Sequence, residues 1–333
     1  MRAVRSVAGW AAACGVVCAL VFAGGAAASG DTLLLESFTG ASVSDPGGWV
    51  SGGFPGYNAC LTAGSDTTAT PIPGCQNPAI DPSGSGVLQL TSLVGNGGFA
   101  LRNVALPTSA GLDISFQQAQ WGGSGADGLA LLLVDGSTNL TQPGSGGGGL
   151  GYVPGPSGNG IENGLLGIGI DSWGNYGTFG ALPNTTNCTA TPGTPGSRGT
   201  GQTTIERTPD RVVVRGPGNG TQGYCFLGES ATLSEISGAT RAEATRTVRV
   251  VFDPDTVASR NVTIFFDGTQ VLQIPAPPEL LAATSFKFGF SASEGGATDN
   301  HEVWNLTIDT VNPVAPVEPV TPTPVVVAPA FTG

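Results

Sequence analysis

From Asp31 to Asp309 the chain is a succession of short β-prone runs cut by turn residues, and no segment keeps a helical period. That pattern restricts the fold, because many short strands joined by glycine-rich turns bury their apolar side chains only by packing one sheet on another. Leu112-Asp113-Ile114-Ser115-Phe116 alternates apolar and polar, as a half-buried strand does. Gly128-Leu129-Ala130-Leu131-Leu132-Leu133-Val134 is apolar on both faces and predicts a central strand. Leu165 to Ile170, Arg211 to Arg215, Thr247 to Phe252, Val262 to Phe266 and Phe286 to Phe290 predict further strands, and Asp267-Gly268 predicts a hairpin turn. The expected fold class is all-β: an antiparallel sandwich of the jelly-roll kind, in one domain over residues 29–310.

The two ends differ from this body. Arg2 and Arg5, an apolar run from Val7 to Phe22 and the small residues Gly24 to Ala28 predict a secretory signal peptide over 1–28. The apolar run is too short to predict a membrane span. Residues 311–333 are rich in Pro, Val and Thr and predict an extended tail or linker. The expected location is therefore secreted, with association to a cell surface through the tail left open. Removing the leader takes away two Arg and no acid, so the net charge moves from −12 to −14. Such a chain does not bind nucleic acid or anionic lipid non-specifically. Eleven Arg against the single Lys287, amid abundant Ala, Gly, Pro and Val, suggest a GC-rich bacterial source. Once the leader is gone four cysteines remain, Cys60, Cys75, Cys188 and Cys225, an even number that predicts two disulfides in an oxidising compartment. Of the three connectivities, Cys60–Cys75 with Cys188–Cys225 is favoured, because each then closes a Gly/Pro/Thr-rich loop.

Four loop motifs stand in a fixed order: Gly125-Ala126-Asp127-Gly128, Gly146-Gly147-Gly148-Gly149-Leu150-Gly151-Tyr152, Gly167-Ile168-Gly169-Ile170-Asp171-Ser172-Trp173-Gly174-Asn175, and Phe288 to Ser293 followed by His301-Glu302-Val303. Each alone reads as a turn or a flexible loop. Together they resemble the L-type lectins, the family of legume seed lectins and their bacterial relatives, over nearly the whole span from Asp31 to Asp309. The resemblance implies a jelly-roll sandwich that binds glycans at one loop end and performs no catalysis. By motif it places the sugar-gripping Asp at Asp127 with a cis peptide before it, the Gly at Gly147 or Gly148, and the Asn at Asn175. Trp173, Tyr176 or Tyr152 would supply an aromatic platform. The residue types suit the task, since a carboxylate accepts from two hydroxyls, an amide donates and accepts, and a glycine lets the backbone approach.

The metal positions depart from the legume pattern. Asp171 and Asn175 match calcium ligands, but Gly169 replaces a Glu, Gly180 stands in place of a second Asp, and the only histidine, His301, lies in another strand. The resemblance then implies no required cofactor, with calcium at Asp171 and Asn175 as an option, and His301 reads as a core hydrogen-bonder. Two rivals remain. A sandwich glycoside hydrolase needs paired carboxylates, often as Glu-x-Asp-x-x-Glu, a run that this sequence lacks, as it lacks Gly-x-Ser-x-Gly. A surface display or adhesion module binding a protein partner fits the tail as well as a lectin does. Sugar specificity and oligomeric state are not encoded in any of these motifs.

Overall fold

The computed structural model describes residues 30–54, 57–93, 97–155, 158–177 and 207–311. The predicted leader, the predicted tail after Val311, and Cys188 with its pairing to Cys225 lie outside the described residues. Among the described residues the strands run in chain order as β1 (Thr32–Glu36), β2 (Trp49–Gly53), β3 (Cys60–Leu61), β4 (Leu88–Thr91), β5 (Gly97–Pro107), β6 (Leu112–Trp121), β7 (Gly128–Asp135), β8 (Gly164–Asp171), β9 (Arg211–Arg215), β10 (Gly218–Asn219), β11 (Gln222–Gly223), β12 (Phe226–Glu229), β13 (Ser237–Gly238), β14 (Arg246–Phe252), β15 (Asn261–Phe266), β16 (Thr269–Pro275), β17 (Ser285–Ser293) and β18 (Asn300–Asp309). Two short helices, α1 (Arg241–Ala244) and α2 (Pro278–Ala282), complete them. None of the described helices is long and apolar enough to cross a membrane.

The strands form two nine-stranded sheets. One is ordered β16-β15-β14-β6-β18-β4-β3, with β1 on β18 and β13 on β6. The other is ordered β11-β10-β8-β7-β17-β5-β2, with β9 on β8 and β12 on β9. Among the described residues the ladders between these strands are antiparallel except the two-residue β13–β6 pair. The all-β, antiparallel, two-sheet architecture predicted from the strand pattern is thus the observed one.

Side-chain period explains the stacking. On β6, Leu112, Ile114 and Phe116 are buried between the sheets, while Asp113 faces out and receives a two-pronged contact from Arg249 at 2.8 and 2.7 Å. On β7 the odd residues Leu129, Leu131 and Leu133 enter the inter-sheet core. The even residues Ala130, Leu132 and Val134 enter a second apolar cluster on the outer face. Phe286, Phe288 and Phe290 of β17 line the main core, where Phe116 meets Phe290 edge-on at 4.9 Å. The β15–β16 hairpin turns at Asp267-Gly268, with φ of 49° and 77°, the two positive values that a type I′ turn needs. Cys60 and Cys75 are disulfide-bonded, as expected.

The outer cluster covers the second sheet on the side a two-layer sandwich leaves to solvent. Tyr152, Tyr176 and Tyr224 are all fully buried there. Tyr152 and Tyr176 lie on the glycines of β8: a Cβ at Gly167 would stand 2.3 Å from the Tyr176 hydroxyl, and one at Gly169 would stand 2.3 Å from its ring. The Gly-Ile-Gly-Ile run is therefore a floor for tyrosine rings, with its isoleucines turned to the main core.

Candidate functional site

Sheet register gathers four loops at one end. Ser293, the last residue of β17, pairs with Gly128, the first of β7, and Leu129 pairs with Ile170 near the end of β8. In the other sheet Asn300, which opens β18, pairs with Trp121, which ends β6. The segments 122–127, 144–150, 172–177 and 294–299 consequently meet.

Asp127 sits at their junction. The Ala126–Asp127 peptide is cis, as the resemblance implied. The Asp127 N–H donates to the Ser293 carbonyl at 3.0 Å, and the Asp127 carbonyl accepts from Trp173 N–H at 3.0 Å and from the Ser172 hydroxyl at 3.3 Å. Its backbone is thereby stapled to two neighbouring loops, which fixes where the side chain points. The carboxylate lies 3.8 Å from where a Cβ would stand on either Gly147 or Gly295, so two glycine loops flank it. The residue is only 5% exposed, and burial pushes its carboxyl up to about 6. Among the described residues no side chain or N–H donates to that carboxylate.

Gly147 adopts φ of 61° at the start of a three-residue 3-10 turn, and its carbonyl accepts from the Ser293 hydroxyl at 2.8 Å. Gly148 is buried within that turn. Asn175 is half-buried in the 172–177 loop and has partners of its own. Trp173 is half-buried with the Arg207 guanidinium 3.9 Å over its ring. Tyr176 and Tyr152, expected as aromatic platforms, are not at this surface: both are fully buried on the glycine floor of β8, so neither ring can stack on a ligand. Trp173 is the one of the three aromatic candidates that retains an exposed edge.

Asp171 is fully buried. Its Oδ1 accepts from Gly174 N–H at 2.7 Å, and its Oδ2 accepts from Tyr176 N–H at 2.8 Å and Gly177 N–H at 3.3 Å. Burial pushes its carboxyl up to about 7 despite those donors, and the neighbouring Asp127 charge adds to the rise. Asp171 thus closes the 172–177 loop on itself. Calcium wants six to eight oxygen ligands, and a carboxylate committed to three N–H donors is poorly disposed to serve as one. Tyr176 also fills the space above Gly169, where the legume pattern has its Glu. Among the described residues no group of three or more His, Cys, Asp or Glu is arranged to hold a metal ion. The arrangement among the described residues does not fit the metal pair of the legume pattern.

Two acidic residues of the last loop escaped the sequence reading. Glu294 accepts Asp299 N–H at 2.8 Å through Oε1, while its Oε2 is buried with no partner among the described residues. Burial first, then the charges of Asp299 and Asp127, push its carboxyl up to about 8. Asp299 accepts from Gly123 N–H at 2.8 Å and from the Ser237 hydroxyl. The available signal was Ser293-Glu294-Gly295-Gly296, an acid between the end of an apolar strand and a glycine pair. His301 is fully buried and bonded through Nδ1 to the Thr91 hydroxyl at 2.6 Å, with its pKa driven down to about 3 by burial. Glu302 is equally buried and held by Arg241 at 2.6 and 2.9 Å and by the Trp121 N–H at 2.8 Å.

A cavity of about 630 Å³ adjoins Asp127 on the Ser124 side, lined among others by Ser172, Trp173, Arg207, Glu235 and Ser237. Ser172 and Trp173 are also the residues that bond the Asp127 carbonyl, while Asp127 itself is not part of the cavity lining.

The architecture and the loop-end site define a class, an antiparallel two-sheet sandwich with a buried carboxylate among glycine loops. No family model matches the chain, and no curated protein sequence matches it. Among solved structures it is similar to peanut lectin with a nine-residue peptide, at 19% identity over 83% of this chain and 97% of that one, with a TM-score of 0.46. It is also similar to the exoplasmic/lumenal domain of VIP36 in its Ca2+-bound form, at 17% identity over 86% and 91% with a TM-score of 0.47. A third likeness is to the metal-free form of lectin I-B4 from Griffonia simplicifolia, at 14% identity over 83% and 98% with a TM-score of 0.46. At such identities and TM-scores what those proteins bind does not transfer to this chain.

Proposed function

We propose that the chain is a secreted, non-catalytic carbohydrate-binding protein whose site is the Asp127 carboxylate between the Gly147 and Gly295 loops. One observation carries the reading: a carboxylate 5% exposed, at a loop end, with no donor among the described residues. Its oxygens are not wholly enclosed: they stay reachable from outside, and native structures satisfy such acceptors with protein, water or ligand. Vicinal hydroxyls of a sugar are donors that suit a two-oxygen acceptor, and the flanking glycines leave room for a ring to approach. Trp173 and Asn175 stand on the adjoining loop to complete the grip. The Cys60–Cys75 disulfide supports an oxidising compartment, as the predicted leader does.

The test is a glycan array probed with the chain, followed by competition with free monosaccharides. Binding that millimolar monosaccharide displaces is the expected result; binding to a protein target that no sugar displaces supports the adhesion-module reading instead. Asp127 and Glu294 are the pair of carboxylates on which hydrolysis would have to be seated. Incubation of the bound glycan with the chain is expected to release no product.

A further inference from the structure

We infer that the segment 312–327 folds back on its own domain and docks in a trough on the outer face of the first sheet, so that the chain beyond β18 is a clamp and not a free linker. The inference is independent of the carbohydrate reading. The trough is its first support. Leu88 and Leu90 of β4 enter the main core, which turns Gln89 between them to the opposite face. There Gln89 lines a cavity of about 440 Å³ with Tyr57, Ile80, Leu93, Trp121 and Asn300. A second cavity of about 530 Å³, walled by Phe54, shares Tyr57 and the Cys60–Cys75 disulfide with it. The two together make a trough in which Tyr57 stands between Phe54 and Trp121. Leu35, Ile80 and Leu93 are the three most exposed large apolar side chains among the described residues. Ile80 and Leu93 line the trough. Leu35 is on the same face of the sheet, since its partner Thr307 pairs with Ser115, on the side of β6 away from the buried Ile114 and Phe116.

The sequence beyond the described residues supplies the occupant. Pro313, Pro316, Pro319 and Pro322 recur every three residues, and Val314, Val317 and Val320 keep the same period. A polyproline II helix has three residues per turn, so this spacing predicts a proline edge and a valine edge side by side, with Ala315, Glu318 and Thr321 on the third. A spacer needs no valine edge, and an apolar edge kept in register is a surface to be covered. Aromatic-lined grooves take Pro-rich segments because such a helix is ordered before it binds. Charge agrees. Arg241, the cation of the trough, is held by Glu302 at 2.6 and 2.9 Å and by Asp81 at 2.9 Å, while the only charged residue of the segment is Glu318. A nearly neutral occupant suits a trough whose charges are already paired. Reach agrees as well. Asn300 lines the trough and opens the ten residues of β18, whose extended rise sets Val311 about 36 Å away. At about 3.1 Å per residue the stretch 312–323 covers about 37 Å. Run back over Leu35, it delivers Pro324 to Val327 to the trough.

The test places the photo-cross-linker p-benzoylphenylalanine at Ala328 of the full chain, just past the docked segment, irradiates a dilute solution and maps the products by peptide mass spectrometry. Cross-links within one chain, to the peptides that carry Tyr57, Ile80 or Leu93, are the expected result. The double variant Ile80→Ser with Leu93→Ser should lower their yield about fivefold or more, since two apolar contacts are weakened. Both side chains are exposed, so the substitutions leave the core intact, and circular dichroism checks that the variant folds as the parent does. Cross-links to other surfaces of the chain, cross-links that join two chains, no cross-link at all, or a yield that the double variant leaves unchanged would each overturn the docking.

Discussion

Asp127 and Asp171 are both buried at the loop end, yet only one of them has its oxygens taken by backbone donors. Asp171 accepts three N–H groups and holds a loop closed. Asp127 spends its backbone on neighbouring loops and leaves its carboxylate toward two glycines. Charge decides what such a group can do, because an ionised carboxylate only accepts, whereas a protonated one carries an O–H donor and keeps only part of its acceptor capacity. With its carboxyl at about 6, Asp127 is ionised above that pH and neutral below it. Sugar affinity measured from pH 8 to pH 4.5 should therefore fall with a midpoint near 6. A flat profile down to pH 4.5 would mean that the ionised Asp127 is not the acceptor.

At the scale of elements, the strands that were legible in the sequence are those whose burial follows from local period alone. β7 reads as central because it is apolar on both faces, and Asp267-Gly268 reads as a turn because only such a pair takes two positive φ values cheaply. β5 was not singled out, since its Arg102 breaks the apolar pattern. That side chain is buried only because Asp45, 57 residues away, pairs with it at 2.6 Å and Trp49 packs against it. The tyrosine layer over β8 was invisible for the same reason: nothing local announces that Tyr176 lies back on Gly169. The order of site loops was legible, and so were Asp127 and its cis bond through family resemblance, but Glu294 and Asp299 carry no motif. The glycine floor makes its own prediction. Gly169→Ala puts a methyl group 2.3 Å from the Tyr176 ring and should cost about 1–3 kcal/mol in urea unfolding. A neutral result would show that the ring is free to move and the layer loosely packed.

The molecule as a whole carries several carboxylates that burial holds protonated more readily than the unfolded chain would. Glu294 and Asp171 sit at about 8 and about 7, so between pH 8.5 and 6.5 the folded state binds more protons than the unfolded one. Stability then rises as pH falls through that window. His301, with its pKa lowered to about 3, stays neutral in the fold throughout the window and opposes the trend only toward its lower end, where the unfolded imidazole approaches half protonation near pH 6.5; two carboxylates outweigh it there. Thermal melts at pH 8.5 and 6.5 should show the higher Tm at pH 6.5, and Glu294→Gln should shrink the difference. Metal makes a separate whole-molecule prediction. With Asp171 committed to backbone donors, EDTA should shift Tm by no more than about 2 °C, whereas a resident calcium would stabilise by mass action and give a larger fall.

The central claim is that Asp127 is the acceptor of a sugar site, and the most direct test compares two aspartates at opposite ends of β7. Asp127→Asn keeps the shape and removes the charge. Asp135→Ala alters a turn residue whose Oδ1 is taken by Ser137 N–H at 2.9 Å, far from the loop end. Losing a charge-assisted contact costs about 1.5–3 kcal/mol, which is about ten- to a hundredfold in affinity. Calorimetric titration of both variants with the best sugar from the array should show Asp127→Asn weakened by that factor or beyond detection, with Asp135→Ala binding as the parent does. Equal binding by the two variants, both folded, would contradict the account and place any sugar site elsewhere.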